Sequence, residues 1–169
     1  AARDDTTVRC AVLAGSDKVF AAGSDVQELA TRDAVDALLD SRPLLWERIR
    51  KFPKPLLASV QGYALGGGLD NAMGCHYRIA VPSAKVGLPE VLIGILPGGG
   101  GTQRLPRLVG AAKAKELILT GDPITAEEAH AAGLVTKVAP TNRYFDEVLR
   151  WAASLAALPR LALQASKML

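Results

Sequence analysis

The 169-residue chain has two cysteines, Cys10 and Cys75, each in an apolar segment. That is too few for a disulfide framework or a zinc site, and it points to a reducing, cytoplasmic setting. No apolar run approaches the ~18 residues of a spanning helix, and the opening AARDDTTVR lacks the pattern of a signal peptide. A soluble protein with no membrane partner is expected. Charge of one sign is also missing, since 20 Lys and Arg face 17 Asp and Glu for a net +3. The densest basic stretch, Arg48–Lys54, is interrupted by Phe52 and Pro53, so it reads as a solvated helix end. No nucleic-acid partner is expected. The two histidines, His76 and His130, have no nucleophile beside them and no Cys/His/Asp/Glu cluster at ligand spacing. His76 is expected to be structural and His130 exposed, and no metal site is expected. Internal repeats and low-complexity segments are absent.

What the chain does have is 49% hydrophobic residues, enough for the core of one domain. Its organising stretch runs from Pro55 to Gly101, with glycine turns at 66–68 and 98–101 and two carboxylates in apolar company, Asp70 and Glu90. Leu56–Val60 reads as a strand buried on both faces. The triple glycine 66–68 follows it, and a helix starts by Leu69. A strand, a glycine turn and a helix N-terminus leave outward-pointing backbone N–H groups in a spot that favours negative charge. The quadruple glycine at 98–101 is not followed by Gly-Lys-Ser/Thr and so is not a phosphate loop. LGGGLDNAMG is not a dinucleotide fingerprint either, because no acid is placed for a ribose.

In chain order, strands are expected at Val8–Ala14, Val19–Ser24 and Leu134–Val138. Helical segments are expected from Asp25 to Phe52 with an interruption near Pro43, then at Gln103–Gly110, Ala112–Thr120, Arg143–Ala157 and Leu161–Leu169. Leu44, Leu45, Ile49 and Phe52 recur at helical spacing, with Trp46 apart from that stripe. Thr125 and Glu128 form a capping box, and Gly133 ends that helix. Strands separated by helices predict an α/β layered fold with parallel pairing. Residues 1–140 form its core and 141–169 begin a helical region.

GYALGGGLDNAMGCHYRIA followed by VGLPEVLIGILPGGGGTQRLPRLVG resembles the signature of the crotonase superfamily, the enoyl-CoA hydratases and acyl-CoA isomerases. The resemblance extends upstream to VLAGSDKVFAAGSDVQELA and downstream to ILTGDPITAEEAHAAGLVTKVAP, and so covers nearly the whole chain. It implies a spiral of ββα units. It also implies further strand and helix before VRCAVLAG and a helical trimerisation region beyond Leu169, so that the C-terminal helical region is truncated here. A homotrimer or a hexamer is the implied assembly.

The implied activity is hydration of a 2-enoyl-CoA thioester. Coenzyme A is then part of the substrate, and no separate cofactor is implied. A thioester enolate needs two donors on its oxygen, each worth about 3–4 kcal/mol of barrier. The N–H of Gly67 is one, and by the family motif the N–H of Ser24 is the other, with serine where alanine is usual. Read without the family, AAGSD can equally be an ordinary strand-to-helix turn. The implied substrate-binding set is Ala22, Gly23, Ser24, Asp25, Val26, Gly66, Gly67, Leu88, Pro97 and Gly98. Glu90 in LPEVLIG matches one hydratase glutamate, and apolar neighbours favour its protonated form. Asp70 matches the other with aspartate in place of glutamate, which sets its oxygens roughly 1.5 Å back, and such displacements can lower rates ~10²-fold. Taken alone, Asp70 can be a first-turn acid on the helix dipole and Glu90 a surface acid beside a proline. Dienoyl-CoA isomerases also pair an aspartate here with the later glutamate, but carry a further aspartate where this chain has Gly98. Hydratase therefore leads, with isomerase next and a non-catalytic acyl-CoA-binding protein third.

Overall fold

The computed structural model describes residues 2–33, 35–36 and 39–167. Strands β1 (Ala11–Ala14) and β2 (Val19–Ala21) lead into α1 (Val26–Ala30) and α2 (Arg42–Arg50). The same strand–strand–helix unit recurs as β3 (Leu56–Val60), β4 (Tyr63–Leu65) and α3 (Gly67–Gly74). A third unit follows, with β5 (Tyr77–Ala80), β6 (Lys85–Gly87), a 3-10 turn over Pro89–Ile93 and α4 (Gly101–Thr120). The chain continues through β7 (Ile124–Thr125), α5 (Ala126–Ala131) and β8 (Lys137–Val138) to α6 (Tyr144–Ala156) and α7 (Arg160–Ser166).

Each unit gives one strand to each of two sheets. One sheet has the order β1-β3-β5-β8, parallel throughout. The other has the order β2-β4-β6-β7, and β7 alone runs antiparallel. The chain thus winds as the expected spiral of ββα units, an α/β fold. All five residues of β3 are buried, as a central parallel strand requires. The core gathers Leu57, Leu69, Ile79, Leu88, Leu105 and Leu134, each at most 1% exposed. Tyr144, at the start of α6, joins the first sheet through its hydroxyl, which donates to the Ile79 carbonyl at 2.9 Å and accepts from Ser59 Oγ at 3.0 Å. Arg78 is buried at the C-terminal end of α3 and donates to the carbonyls of Cys75 (2.7 Å) and Leu134 (2.5 Å). A cation there satisfies orphan carbonyls and complements the helix dipole.

Several expected boundaries move. The first strand begins at Ala11, not Val8, because Ala11 pairs with Leu56 and any extension would pair with Pro53-Lys54-Pro55. The two prolines there have no N–H to offer a ladder. β2 stops at Ala21, where the chain turns through Gly23 (φ 91). The last strand keeps only Lys137–Val138, since the N–H groups of Leu134 and Val135 are taken by the Ala129 carbonyl at the end of α5. Both hydrogen bonds of the Thr125–Glu128 capping box form, and Gly133 follows with φ 83. Non-helical backbone at Gly110 divides α4 where two helices were expected. The 25–52 segment contains α1 and α2, with residues 34, 37 and 38 outside the described residues. Leu44 and Leu45 in α2 are exposed, whereas Ile49 and Phe52 pack on the core. The expected last helix forms over Arg160–Ser166, and residues 168 and 169 lie outside the described residues. Among the described residues no helix is long and apolar enough to cross a membrane.

Candidate active site

Four segments converge on a cavity of about 340 Å³: the turn after β2, the turn from β4 into α3, the 3-10 turn after β6, and the glycine loop before α4. The first two abut. A Cβ added to Gly23 would lie 3.4 Å from the Gly67 nitrogen. Gly67 is the first residue of α3, and helix geometry gives its N–H no acceptor. Among the described residues neither the Gly67 nor the Ser24 N–H donates to the protein. Both residues line the cavity. Trp46 closes one flank, with its Cζ2 3.4 Å from a Cβ built on Gly67.

Asp70 and Glu90 face the same cavity from different elements. Asp70 sits in the first turn of α3 and is 1% exposed. Glu90, at the start of the 3-10 turn, is half-buried and lies over Gly66, where an added Cβ would be 3.1 Å from its Oε1. Gly66 has φ 54, which disfavours any side chain, so glycine both makes the turn and admits the carboxyl. Among the described residues, the buried side-chain N and O atoms without a hydrogen-bond partner are Asp70 Oδ1, Asp70 Oδ2 and Glu90 Oε2. Buried acceptors are ordinarily paired, so three orphans converging in one cavity mark the place where a ligand is bound.

Burial, then the charge of Glu90, pushes the Asp70 carboxyl up to about 6. The Arg104 guanidinium and the amides of Gly99 and Gly101 oppose this weakly; the amides fall short of hydrogen-bonding geometry. Burial also raises Glu90. Near neutral pH such a pair can hold one proton and exchange it, which suits general acid–base work.

The family profile of enoyl-CoA hydratase/isomerase matches residues 1–169. The chain belongs to the enoyl-CoA hydratase/isomerase family. It is 46% identical over 167 residues to the 2,3-dehydroadipyl-CoA hydratase of Escherichia coli, covering 99% of this chain and 66% of that protein. A probable enoyl-CoA hydratase of Rhizobium meliloti is 46% identical over 153 residues, covering 90% of this chain and 60% of that one. The crystal structure of enoyl-CoA hydratase subunit I from Geobacillus kaustophilus superposes with a TM-score of 0.94 at 38% identity, over 98% of this chain and 65% of that chain. The chain therefore spans less than two thirds of the length of each of these relatives.

The cavity of this family member brings together Asp70, Glu90, Ser24, Gly67, Ala22, Gly23, Val26, Gly66 and Gly98 from the expected set. Asp25, Leu88 and Pro97 do not line it. Asp25 instead caps α1, its carboxylate accepting the Gln27 N–H at 2.8 Å. Leu88 and Pro97 are buried behind the wall. Arg42, Trp46 and the apolar side chains Leu92, Ile93, Ile95 and Leu96 line the cavity without having been singled out. Arg42 and Trp46 are four apart on α2, and that i, i+4 relation was the available signal. His76 is structural in place, its Nδ1 accepting the Leu56 N–H at 3.0 Å, and His130 is exposed.

Proposed function

We propose that this chain carries the active site of an enoyl-CoA hydratase. The observation that carries the reading is the pair of carboxyls, Asp70 and Glu90, whose buried oxygens have no protein partner and share a cavity with two unclaimed amides. In this reading the thioester oxygen accepts from the N–H groups of Gly67 and Ser24, which offset the negative charge that develops as the double bond is attacked. A water held between the two carboxyls gives a proton to the ionised one as its oxygen bonds to Cβ, and the electron pair moves to the thioester enolate. Protonated Glu90 then delivers a proton to Cα. The pair begins and ends with one proton, and H and OH have been added across the bond. Burial raises both carboxyls, Asp70 to about 6, so the pair shares the proton, and the acid role of Glu90 is the one the family resemblance implies.

The second reading, an enoyl- or dienoyl-CoA isomerase with the carboxyls as a proton shuttle, is favoured by aspartate at position 70 and disfavoured by Gly98, which brings no third carboxyl. Incubation with crotonyl-CoA in heavy-oxygen water decides between them. Loss of the conjugation absorbance with a labelled hydroxyl is the expected result. No hydration, with new conjugation from a 3-enoyl-CoA, would replace hydratase by isomerase, and no turnover of any such thioester would leave an acyl-CoA-binding protein.

Coenzyme A enters as part of the substrate, along the Ala22–Val26 turn, and no other cofactor is required by this chemistry. The free cysteines Cys10 and Cys75 support a reducing, cytoplasmic setting. The resemblance to the crotonase superfamily supports assembly as a homotrimer or hexamer, which light scattering on the full chain would count.

A further inference from the structure

One feature of the cavity is not used by hydration itself. Among the described residues that line it, Arg42 is the one cation. The same cavity is lined by apolar side chains, including Leu29, Leu92, Ile93 and Leu96. A wall built to take a plain hydrocarbon chain has no use for a guanidinium, whose partial burial is unfavourable unless it is paired.

The guanidinium is held in place from behind. Asp40 accepts from Arg42 Nε and pairs with Nη2, and it also takes the Arg42 backbone N–H at 2.8 Å. These contacts hold the Asp40 carboxyl down at about 2, so it stays charged. Arg32 shares the same carboxylate at 3.0 Å and pairs as well with Glu28, so two carboxylates hold this corner of the cavity wall. From the front, Arg42 Nη1 donates to Ser24 Oγ at 2.6 Å, a neutral acceptor on the turn beside the paired amides. Three contacts use three of the five guanidinium N–H groups, so two remain among the described residues. A second, smaller cavity of about 140 Å³ shares Gly23, Ser24, Arg42, Trp46 and Gly67 as walls, so the guanidinium borders both spaces.

Position then decides what it can reach. Trp46 touches the Gly67 position, and Arg42 lies one turn away on the same face of α2, about 6 Å along the helix axis. Asp70 and Glu90 must face Cα and Cβ, so the acyl chain passes through the cavity that Arg42 lines. We propose that Arg42, held by Asp40, is a specificity-determining residue that binds a carboxylate at the far end of the acyl chain, so that the preferred substrate is the mono-CoA thioester of an unsaturated dicarboxylic acid. This rests on the hydratase reading for where the thioester lies. A carboxylate is a stronger partner than the Ser24 hydroxyl for a planar, forked donor.

The test is calorimetric titration of the full chain with adipyl-CoA and hexanoyl-CoA, which are saturated and of equal chain length, so that binding is read without turnover. The wild type is expected to bind adipyl-CoA roughly tenfold or more tighter than hexanoyl-CoA. Arg42→Gln is expected to abolish that ratio, and Arg42→Lys to retain part of it, which separates loss of charge from loss of fold. No preference in the wild type, or a preference that survives Arg42→Gln, overturns the proposal. So does a variant that loses both ligands alike with the ratio intact, because that marks a contact with the phosphates of coenzyme A. Hydration of crotonyl-CoA and of the 2-unsaturated analogue of adipyl-CoA by the wild type is measured in parallel. Absence of both with the adipyl preference intact defeats the hydratase reading and leaves the carboxylate site standing, whereas hydration without the preference defeats the carboxylate site alone.

Discussion

The Asp70 carboxyl packs flush against the backbone of Gly99: a Cβ built there would sit 2.2 Å from Asp70 Oδ2. Gly101, two residues on, leaves 3.1 Å to Oδ1. The bare loop thus sets where the shorter of the two acids stands relative to the cavity. Gly99→Ala is expected to push the carboxyl out of position and lower crotonyl-CoA hydration by ~10²-fold. Its overpacking is expected to destabilise by about 1–3 kcal/mol in urea melts. Gly98→Ala meets nothing within 4 Å and is expected to stay within about 0.5 kcal/mol of the wild type in the same melts. Equal melts and rates for Gly99→Ala would show that the loop does not position Asp70.

The raised pKa of Asp70 has a consequence for stability with a definite sign. In the folded chain the carboxyl titrates at about 6, against an ordinary value of 3.8, so the native state binds the proton more tightly than the unfolded one. The stability it contributes is fully present below about pH 4 and is lost as pH rises through 6. Asp70→Asn removes the charged form and is expected to stabilise the protein at pH 7, by at most about 3 kcal/mol, while hydration falls steeply. Glu90→Gln is expected to abolish turnover while acyl-CoA binding persists. Urea midpoints of wild type and Asp70→Asn at pH 4 and pH 7 read the first effect; a constant difference between them would show that Asp70 is not buried in its acid form.

The legible parts of this fold were those set by local chemistry. Leu56–Val60 announces a buried strand because four apolar residues and a serine lie between a proline pair and a glycine turn, and Thr125 with Glu128 announces a helix start because its two hydrogen bonds are local. Asp70 and Glu90 reached the same cavity as the family signature implied. The wall opposite them was not legible. α2 has apolar residues at helical spacing, but Leu44 is exposed and Leu45 borders only the smaller cavity, and the main cavity takes Arg42 and Trp46 instead. A residue lining a cavity is half-exposed, so periodicity tuned to a core passes over it. Leu88 and Pro97 are buried while their chain neighbours Pro89, Leu96 and Gly98 line the cavity, a distinction of side-chain direction that the motif alone does not carry.

Tyr144 ties the segment after residue 140 to the centre of the first sheet. Its hydroxyl is buried, donating to Ile79 and accepting from Ser59, and burial pushes its pKa up. Tyr144→Phe keeps the ring but leaves the Ser59 hydroxyl and the Ile79 carbonyl without that partner. A loss of about 1–3 kcal/mol is expected, read as a lower urea midpoint with an unchanged slope. A neutral result would place these groups in contact with water.

His76 gives the opposite pH response to Asp70. Burial, then the charge of Lys167, lowers its pKa to about 4, while its Nδ1 accepts the Leu56 N–H. The unfolded chain, with an ordinary histidine at 6.5, binds the proton more readily than the native state. Stability from neutral His76 is therefore present above pH 6.5 and lost as pH falls toward 4. The two groups act in overlapping windows with contrary signs, so the wild type conceals part of each. His76→Gln, whose amide can still accept from Leu56, is expected to flatten the acid limb of the urea midpoint between pH 6.5 and 4 and to leave the Asp70 response exposed as a rise in stability on acidification. If the wild type and His76→Gln profiles run parallel across that window, the histidine takes up its proton in the folded protein as readily as in the unfolded chain, and burial does not hold it neutral.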